Sequence, residues 1–281
     1  MAEEAKDELL LDISVKDASR LYKFYLINER LIIGVSGVFL FLFVWEYVGG
    51  IAELINPIFM SAPSRILKAG YAMFASGEIY NDMWVSGKEL FIGFGLSIVT
   101  AIPLGLLAGW YRRLNYAVDP FLDALNATPR VALLPLIIIW VGIGIWSKVV
   151  IVYLGAFFPI IINTLAGVKT TDVRLLKAAR SFKANDAQVF KTVILPSTAP
   201  FIMSGLRQGL GRALVGVVVG ELYAATAGVG FMITVAGATF QTDKVFVGVL
   251  LICIAGVALT KLLGAMERRF DKWRPGFEGL T

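Results

Sequence analysis

Residues 172–196, DVRLLKAARSFKANDAQVFKTVILP, decide the fold of this chain. The stretch is rich in charge, whereas long apolar stretches lie on both sides of it. Its pattern predicts a helix, a break near the middle and a second helix. Because it is short, basic and flanked by apolar spans, the hairpin is predicted to be a docking surface on a loop of a membrane protein.

The ends of the two hairpin helices are predicted from their polar residues. Thr171 or Asp172 can cap the first helix, and Asn185 or Asp186 can cap the second. Their side-chain oxygens accept hydrogen bonds from the backbone N–H groups that a helix start leaves without partners. Pro196 lacks an N–H group and disfavours helix at the residue before it, so the second helix is predicted to end there.

The composition places the chain in a membrane. Apolar residues make up 57% of it, charged residues 17%, and the mean hydropathy is +0.75. These values are too apolar for a soluble domain of this length. The sequence has no histidine and one cysteine, Cys253, which excludes a disulfide framework, the usual zinc sites and a nucleophile–histidine pair.

Six apolar stretches predict six membrane-spanning helices, since a hydrocarbon core of ~30 Å needs ~20 residues of helix. The predicted spans are 31–48, 90–110, 131–146, 149–168, 200–225 and 246–266, which together form a permease domain over 31–266. Ahead of them, residues 1–30 form a polar segment, with an amphipathic surface helix over 16–31. Residues 49–88 predict short helices outside the bilayer, 227–243 a glycine-broken re-entrant segment, and 267–281 a basic tail.

The distribution of lysine and arginine predicts the orientation. These residues concentrate in the N-terminal segment, the loop over 110–130, the hairpin and the C-terminal tail. They are sparse in the loops predicted on the other side, where Ser147–Lys148 forms a tight turn. Positive loops stay in the cytoplasm, so both termini and the hairpin are predicted to be cytoplasmic.

The fifth span has an informative helical pattern. Gly205, Gly209, Gly216 and Gly220 share one stripe at ~100° per residue, with Arg212 beside them, which predicts close helix packing. Charged residues inside a membrane are costly and should face protein or water. Arg207, Arg212, Glu221 and Trp140 are therefore candidates for a translocation path. Snorkelling to the membrane surface is the alternative for Arg207 and Glu221, and an aromatic belt is the alternative for Trp140.

Motifs of catalysis and nucleotide binding are absent from the sequence. No GxxxxGK[ST], GxSxG or HExxH stretch occurs. The chain is therefore predicted to be no enzyme, with no cofactor or metal of its own. Gly142-Ile143-Gly144 is predicted to be a tight bend rather than a phosphate-binding loop.

The hairpin resembles the cytoplasmic signature loop of the membrane subunits of bacterial ABC importers, EAA-x3-G-x9-I-x-L-P. The resemblance implies that the loop docks in a groove of a separate ATPase subunit. Two positions depart from the pattern, because Lys177 replaces the glutamate and Lys183 the glycine, at a turn that favours positive φ. The residues implied to contact the ATPase are Lys177, Ala178, Ala179, Ser181, Phe182, Lys183, Ala184, Asp186, Leu195 and Pro196.

The stretches 126–136, 140–148, 204–207 and 221–231 are similar to one subfamily, the nitrate, sulfonate, taurine and bicarbonate permeases. That resemblance implies an all-α type I importer fold and a homodimer in the bacterial inner membrane. It also implies two ATPase subunits that bind ATP and Mg, and an extracytoplasmic substrate-binding protein. The implied substrate is a small, anionic solute.

Other functions stay open from the sequence. The solute can instead be neutral or aromatic, such as a pyrimidine precursor. A stand-alone secondary transporter has six or more spans and intramembrane charge too, but does not require the hairpin. A membrane enzyme or assembly factor fits less well, because no catalytic motif is visible.

Overall fold

The computed structural model describes residues 20–267, and within that range it contains helices and no strand. Two compact units divide the chain, one up to Lys68 and one from Ala69. The α-helices are α1 (Arg20–Glu46), α2 (Pro63–Ser76), α3 (Glu78–Trp110), α4 (Arg112–Ala127), α5 (Leu134–Val141), α6 (Ile145–Lys169), α7 (Val173–Ser181), α8 (Asp186–Val189), α9 (Leu195–Ala224), α10 (Val229–Ala238) and α11 (Thr242–Glu267). Two π-helical segments, Tyr47–Ile51 and Phe190–Ile194, and a 3-10 segment, Arg130–Leu133, complete them.

The first unit is built on α1, whose apolar side chains are exposed along the length that can cross a membrane. Residues 20–31 continue directly into this span rather than forming a separate surface helix. The rest of the predicted N-terminal segment, and the basic tail from 268, lie outside the described residues. At the end of α1, Glu46 accepts hydrogen bonds from the N–H (2.9 Å) and hydroxyl (2.7 Å) of Ser64. This carboxylate therefore caps the start of α2.

The second unit is organised around α6, which packs extensively against both α9 and α3. Its central residues Val152, Ala156, Ile160 and Ile161 are fully or almost fully buried. A helix that is apolar all round belongs in the middle of a bundle.

The predicted glycine stripe of the fifth span lies against α6, which confirms that part of the prediction. A Cβ added to Gly209 would lie 3.1 Å from the carbonyl oxygen of Ala156, and one added to Gly216 would lie 3.2 Å from the Cα of Val152. Glycine lets the two backbones come this close.

A second glycine face, on α3, also packs against α6. A Cβ at Gly93 would lie 2.7 Å from the Cβ of Val152, and one at Gly105 would lie 2.8 Å from the Cβ of Thr164. Two glycine faces thus hold α3, α6 and α9 together with little space between them.

The predicted spans differ from the observed ones at several ends. Five helices are long and apolar enough to span a membrane, and six if the bent pair Arg112–Ala127 and Arg130–Val141 counts as one span. That pair turns by 93° between Ala127 and Arg130, just ahead of the third span predicted over 131–146, and its second helix ends at Val141. The turn at Gly142, with φ of 86°, confirms the predicted bend, but Ser147 and Lys148 lie inside α6 and not in a loop.

The second span begins twelve residues earlier than predicted, at Glu78. Its first three turns carry Asp82, Ser86 and Glu89, and such polar residues indicated a segment outside the bilayer. The structure shows their side chains bonded to other helices, so a helix can continue through them.

The prediction that the second hairpin helix ends at Pro196 is wrong. Helical structure runs from Asp186 to Tyr223, with the π segment Phe190–Ile194 just before the proline. In that segment the N–H of Leu195 donates to the carbonyl of Phe190, and Pro196 stands in the first turn of α9. A change of hydrogen-bonding register at this point lets the helix pass through a residue without an N–H.

Candidate coupling hairpin and translocation path

The first hairpin helix, α7, starts at a cap that the sequence predicted. Asp172 accepts a hydrogen bond from the N–H of Arg174 at 2.8 Å, which identifies Asp172 rather than Thr171 as the cap. The Arg174 guanidinium also bonds this carboxylate and lowers its pKa from the ordinary value. The carboxylate thus caps the start of α7 and places a negative charge at its positive end.

The break between the hairpin helices occurs at Lys183, which has a φ of 59°. Its N–H donates to the carbonyl of Arg180 at 2.9 Å, and the N–H of Ala184 donates to the carbonyl of Ala179 at 3.1 Å. These bonds close the end of α7 in a left-handed turn. The prediction that the glycine position of the signature needs positive φ is confirmed, and lysine occupies it here.

The second hairpin helix starts at Asn185, which forms a capping box with Gln188. The two side-chain to backbone bonds are each 2.8 Å long. Arg180 of the first helix forms an ion pair with Asp186 of the second, and donates to the carbonyl of Ala184. The hairpin therefore has its own set of polar contacts.

The underside of the hairpin packs on the membrane-spanning helices. Leu176 and Phe190 contact a small core that contains Leu106, Val168 and Ile194. The ring of Phe190 meets that of Trp110 edge-to-face, with centroids 5.8 Å apart. These contacts join the hairpin to the ends of α3 and α6.

The outer surface of the hairpin carries most of the residues predicted to contact an ATPase. Exposed among them are Lys177, Ala178, Ser181, Phe182, Lys183, Asp186 and Leu195, whereas Ala179, Ala184 and Pro196 are half-buried. Phe182 is 87% exposed. That this exposed ring contacts a partner stays a prediction.

The four residues predicted to line a translocation path lie in different places. Arg207 forms an ion pair with Glu267 between α9 and α11. Trp140 is 72% exposed on α5. Arg212 borders a small cavity and Glu221 is buried. The structure does not bring these four side chains together, and their roles in a path stay predictions.

Glu221 holds the short helix α10. Its two carboxylate oxygens accept hydrogen bonds from the Ser86 hydroxyl and from the N–H of Gly230, each 2.6 Å long. Asp82 accepts from the N–H of Gly228 at 2.8 Å. Carboxylates from α3 and α9 therefore meet the positive start of α10, which fixes that helix to the bundle.

A buried ion pair lies beside this contact. The Lys148 ammonium nitrogen lies 2.8 Å from an oxygen of Glu89, and the two side chains are 6% and 0% exposed. Sequence reasoning missed both residues as a site. The sequence nevertheless contains a pattern that could have indicated a polar contact between helices. Asp82, Ser86 and Glu89 have i, i+4, i+7 spacing, which places all three on one face of α3.

Comparisons with known proteins agree with this arrangement. The sequence model of the family described as "Binding-protein-dependent transport system inner membrane component" matches residues 101–273. The chain belongs to this family. It is thus a transport permease subunit of the multi-pass membrane class.

Relatives of this permease have similar lengths. A putative aliphatic sulfonates transport permease protein of Bacillus subtilis is 34% identical over 84% of this chain and 85% of its own. The taurine transport system permease protein of Escherichia coli is 33% identical over 88% of this chain and 91% of its own. Among solved structures, an inward-facing methionine ABC transporter matches with a TM-score of 0.50 and 21% identity, over 64% of this chain and 93% of that chain. This last likeness concerns the fold.

Proposed function

We propose that this permease works as a homodimer with two ATPase subunits, which bind ATP and Mg, and an extracytoplasmic binding protein. The observation that carries the proposal is the hairpin, because it presents an exposed Phe182 while its underside is fixed to the spans. ATP-driven closure of the ATPases would draw two hairpins together and switch the path between inward-facing and outward-facing states. ATP hydrolysis would reset it.

The substrate that we propose is a small organic sulfonate such as taurine. Support comes from the two relatives, which are named for aliphatic sulfonates and for taurine and match most of this chain. In keeping with the positive-inside rule, both termini and the hairpin would lie in the cytoplasm of a bacterium and the chain in its inner membrane.

The proposal is tested by purifying the tagged chain from its native membranes in mild detergent and identifying what accompanies it. We expect an ATPase in equal amount. In the same cells, Ala178→Glu should abolish its retention and taurine uptake, because charge and bulk enter a packed docking surface. Ala75→Glu, at an exposed alanine of α2 beside the opposite end of α3, is the matched control and should retain both.

Two results would contradict parts of this proposal. Uptake driven by an ion gradient in a chain that purifies alone would refute the ATP-driven mechanism. A retained ATPase with an Ala178→Glu variant that still transports would show that the docking surface lies elsewhere.

A further inference from the structure

A cavity of 240 Å³ lies between the 3-10 segment, α6 and α9. Arg130 and Arg212 are the only charged residues that line it, and its other walls are glycine and apolar side chains such as Val131, Ile151 and Val215. Gly155 contributes to its shape, because a Cβ at that position would lie 3.0 Å from the carbonyl oxygen of Arg212. The cavity is therefore small, apolar and positively charged at one side.

The two arginines converge on one neutral group. Arg130 donates to the side-chain oxygen of Asn126 at 3.2 Å, and Arg212 donates to the same oxygen at 3.5 Å. The guanidinium of Arg130 also lies over the ring of Phe158, 5.4 Å from its centre. These contacts fix where the guanidinium of Arg130 stands without neutralising its charge.

Neither arginine is paired with a carboxylate within the part of the chain that the structure describes. The Nε of Arg130 is moreover buried and has no hydrogen-bond partner. Arg207, five residues before Arg212 on α9, does have an acidic partner in Glu267. Arg130 and Arg212 therefore differ from Arg207, because their positive charges have no acidic partner among the described residues.

Two guanidinium groups that share a single amide oxygen repel each other, and the half-buried Arg130 is screened by water less than the exposed Arg212. A bound oxyanion removes the repulsion and supplies the missing acceptors, since guanidinium groups bind such anions through paired N–H donors. The position also suits a ligand. The cavity lies at the bend of a broken span, where irregular backbone is tolerated because it lines a cavity or is covered by protein.

We propose that Arg130 and Arg212, with Asn126 between them, form an anion-binding subsite that holds the sulfonate group of the solute during passage. The three oxygens of a sulfonate can accept from both guanidinium groups, and a short alkyl chain fits against Val131, Ile151 and Val215. A cation would be repelled here, and a solute without an anionic group would leave the two charges uncompensated. This inference rests on the proposed function for the transport step but on the structure alone for the anion site.

The anion site is tested by chemical modification, which does not depend on transport. The chain, purified with any subunits that accompany it, is treated with phenylglyoxal, and modified arginines are quantified by mass spectrometry. Ethanesulfonate should slow modification of Arg130 and Arg212 at least about threefold, whereas choline chloride at the same concentration should not. Arg113, an exposed arginine at the start of α4, should react at one rate in every condition.

Transport variants then test what the subsite does. Arg130→Gln and Arg212→Gln should each lower the taurine uptake rate about tenfold, since each removes one charged hydrogen-bond donor group. Arg113→Gln should leave uptake unchanged. ATPase stimulation by the loaded binding protein should persist in all three variants, because the hairpin is intact.

The outcomes separate the subsite from the proposed function. Absence of protection by ethanesulfonate, or equal protection by choline chloride, would overturn the subsite even if the chain transports taurine. If ethanesulfonate protects the two arginines but the wild-type protein does not take up taurine, the subsite stands and the proposed substrate is wrong. Dissociation of a purified dimer in the glutamine variants would also overturn the subsite, since the arginines would then hold the two copies together.

Discussion

Removing one partner of the buried Lys148–Glu89 pair should destabilise the protein far more than removing a similar pair at the surface. Lys148→Met leaves the fully buried carboxylate of Glu89 without its cation, close to the second buried carboxylate, Glu221. Loss of one member of a buried pair costs about 3–5 kcal/mol. We expect a decrease of that size in the free energy of unfolding.

The structure supplies a matched control. Lys244 and Glu78 form an ion pair of 3.0 Å, close to the 2.8 Å of the buried pair, but their side chains are 32% and 53% exposed. Lys244→Met should therefore cost no more than about 1 kcal/mol. The free energies are measured by denaturant titration of the purified protein in one detergent, with tryptophan fluorescence as the signal.

A double variant tests why Lys148→Met destabilises the protein. If the cost of Lys148→Met comes from the orphaned charge, adding Glu89→Leu should recover most of it, because an apolar pair of similar size is tolerated in such a place. Equal costs for Lys148→Met and Lys244→Met, or no recovery in the double variant, would refute this reasoning.

Three further substitutions test other features of the molecule. Lys183→Gly should stabilise the protein by about 1 kcal/mol in the same titration, because a lysine at φ of 59° carries the strain of the left-handed region. A loss of stability would contradict this. Gly105→Leu should destabilise by at least about 2 kcal/mol, since even a Cβ would lie 2.8 Å from that of Thr164, whereas Gly95→Leu has open space and should change little. Phe182→Ala should leave the free energy of unfolding unchanged but weaken retention of the ATPase about tenfold or more in co-purification. The reason is the loss of an exposed aromatic side chain from the docking surface. Full retention of the ATPase would exclude this side chain from the contact.

Local features of the hairpin could be read from the sequence because their causes are local. Caps at Asp172 and Asn185 depend on bonds to N–H groups two or three residues away. The positive φ of Lys183 follows from the turn that ends α7. The glycine stripe of α9 was also predictable, because helical periodicity alone places those residues on one face.

Features that depend on distant partners were missed. Glu89 looked like the end of an outer loop because its partner Lys148 lies on another helix. Lys148 looked like a turn residue for the same reason. Arg130 was read only as a cation of the 110–130 loop, since the sequence does not show that the chain bends by 93° and brings it to Arg212.

The unbroken helical run from Asp186 to Tyr223 links the hairpin to the far end of the bundle. At ~1.5 Å per residue it is long enough to reach through a bilayer of ~30 Å, with its lower end in the hairpin and its upper end at Glu221. Since Glu221 holds the start of α10, this run connects the hairpin to that helix at the far end without a break. Along this run the hydrogen-bond register changes at the π segment Phe190–Ile194, and such a segment is where a long helix is most easily bent.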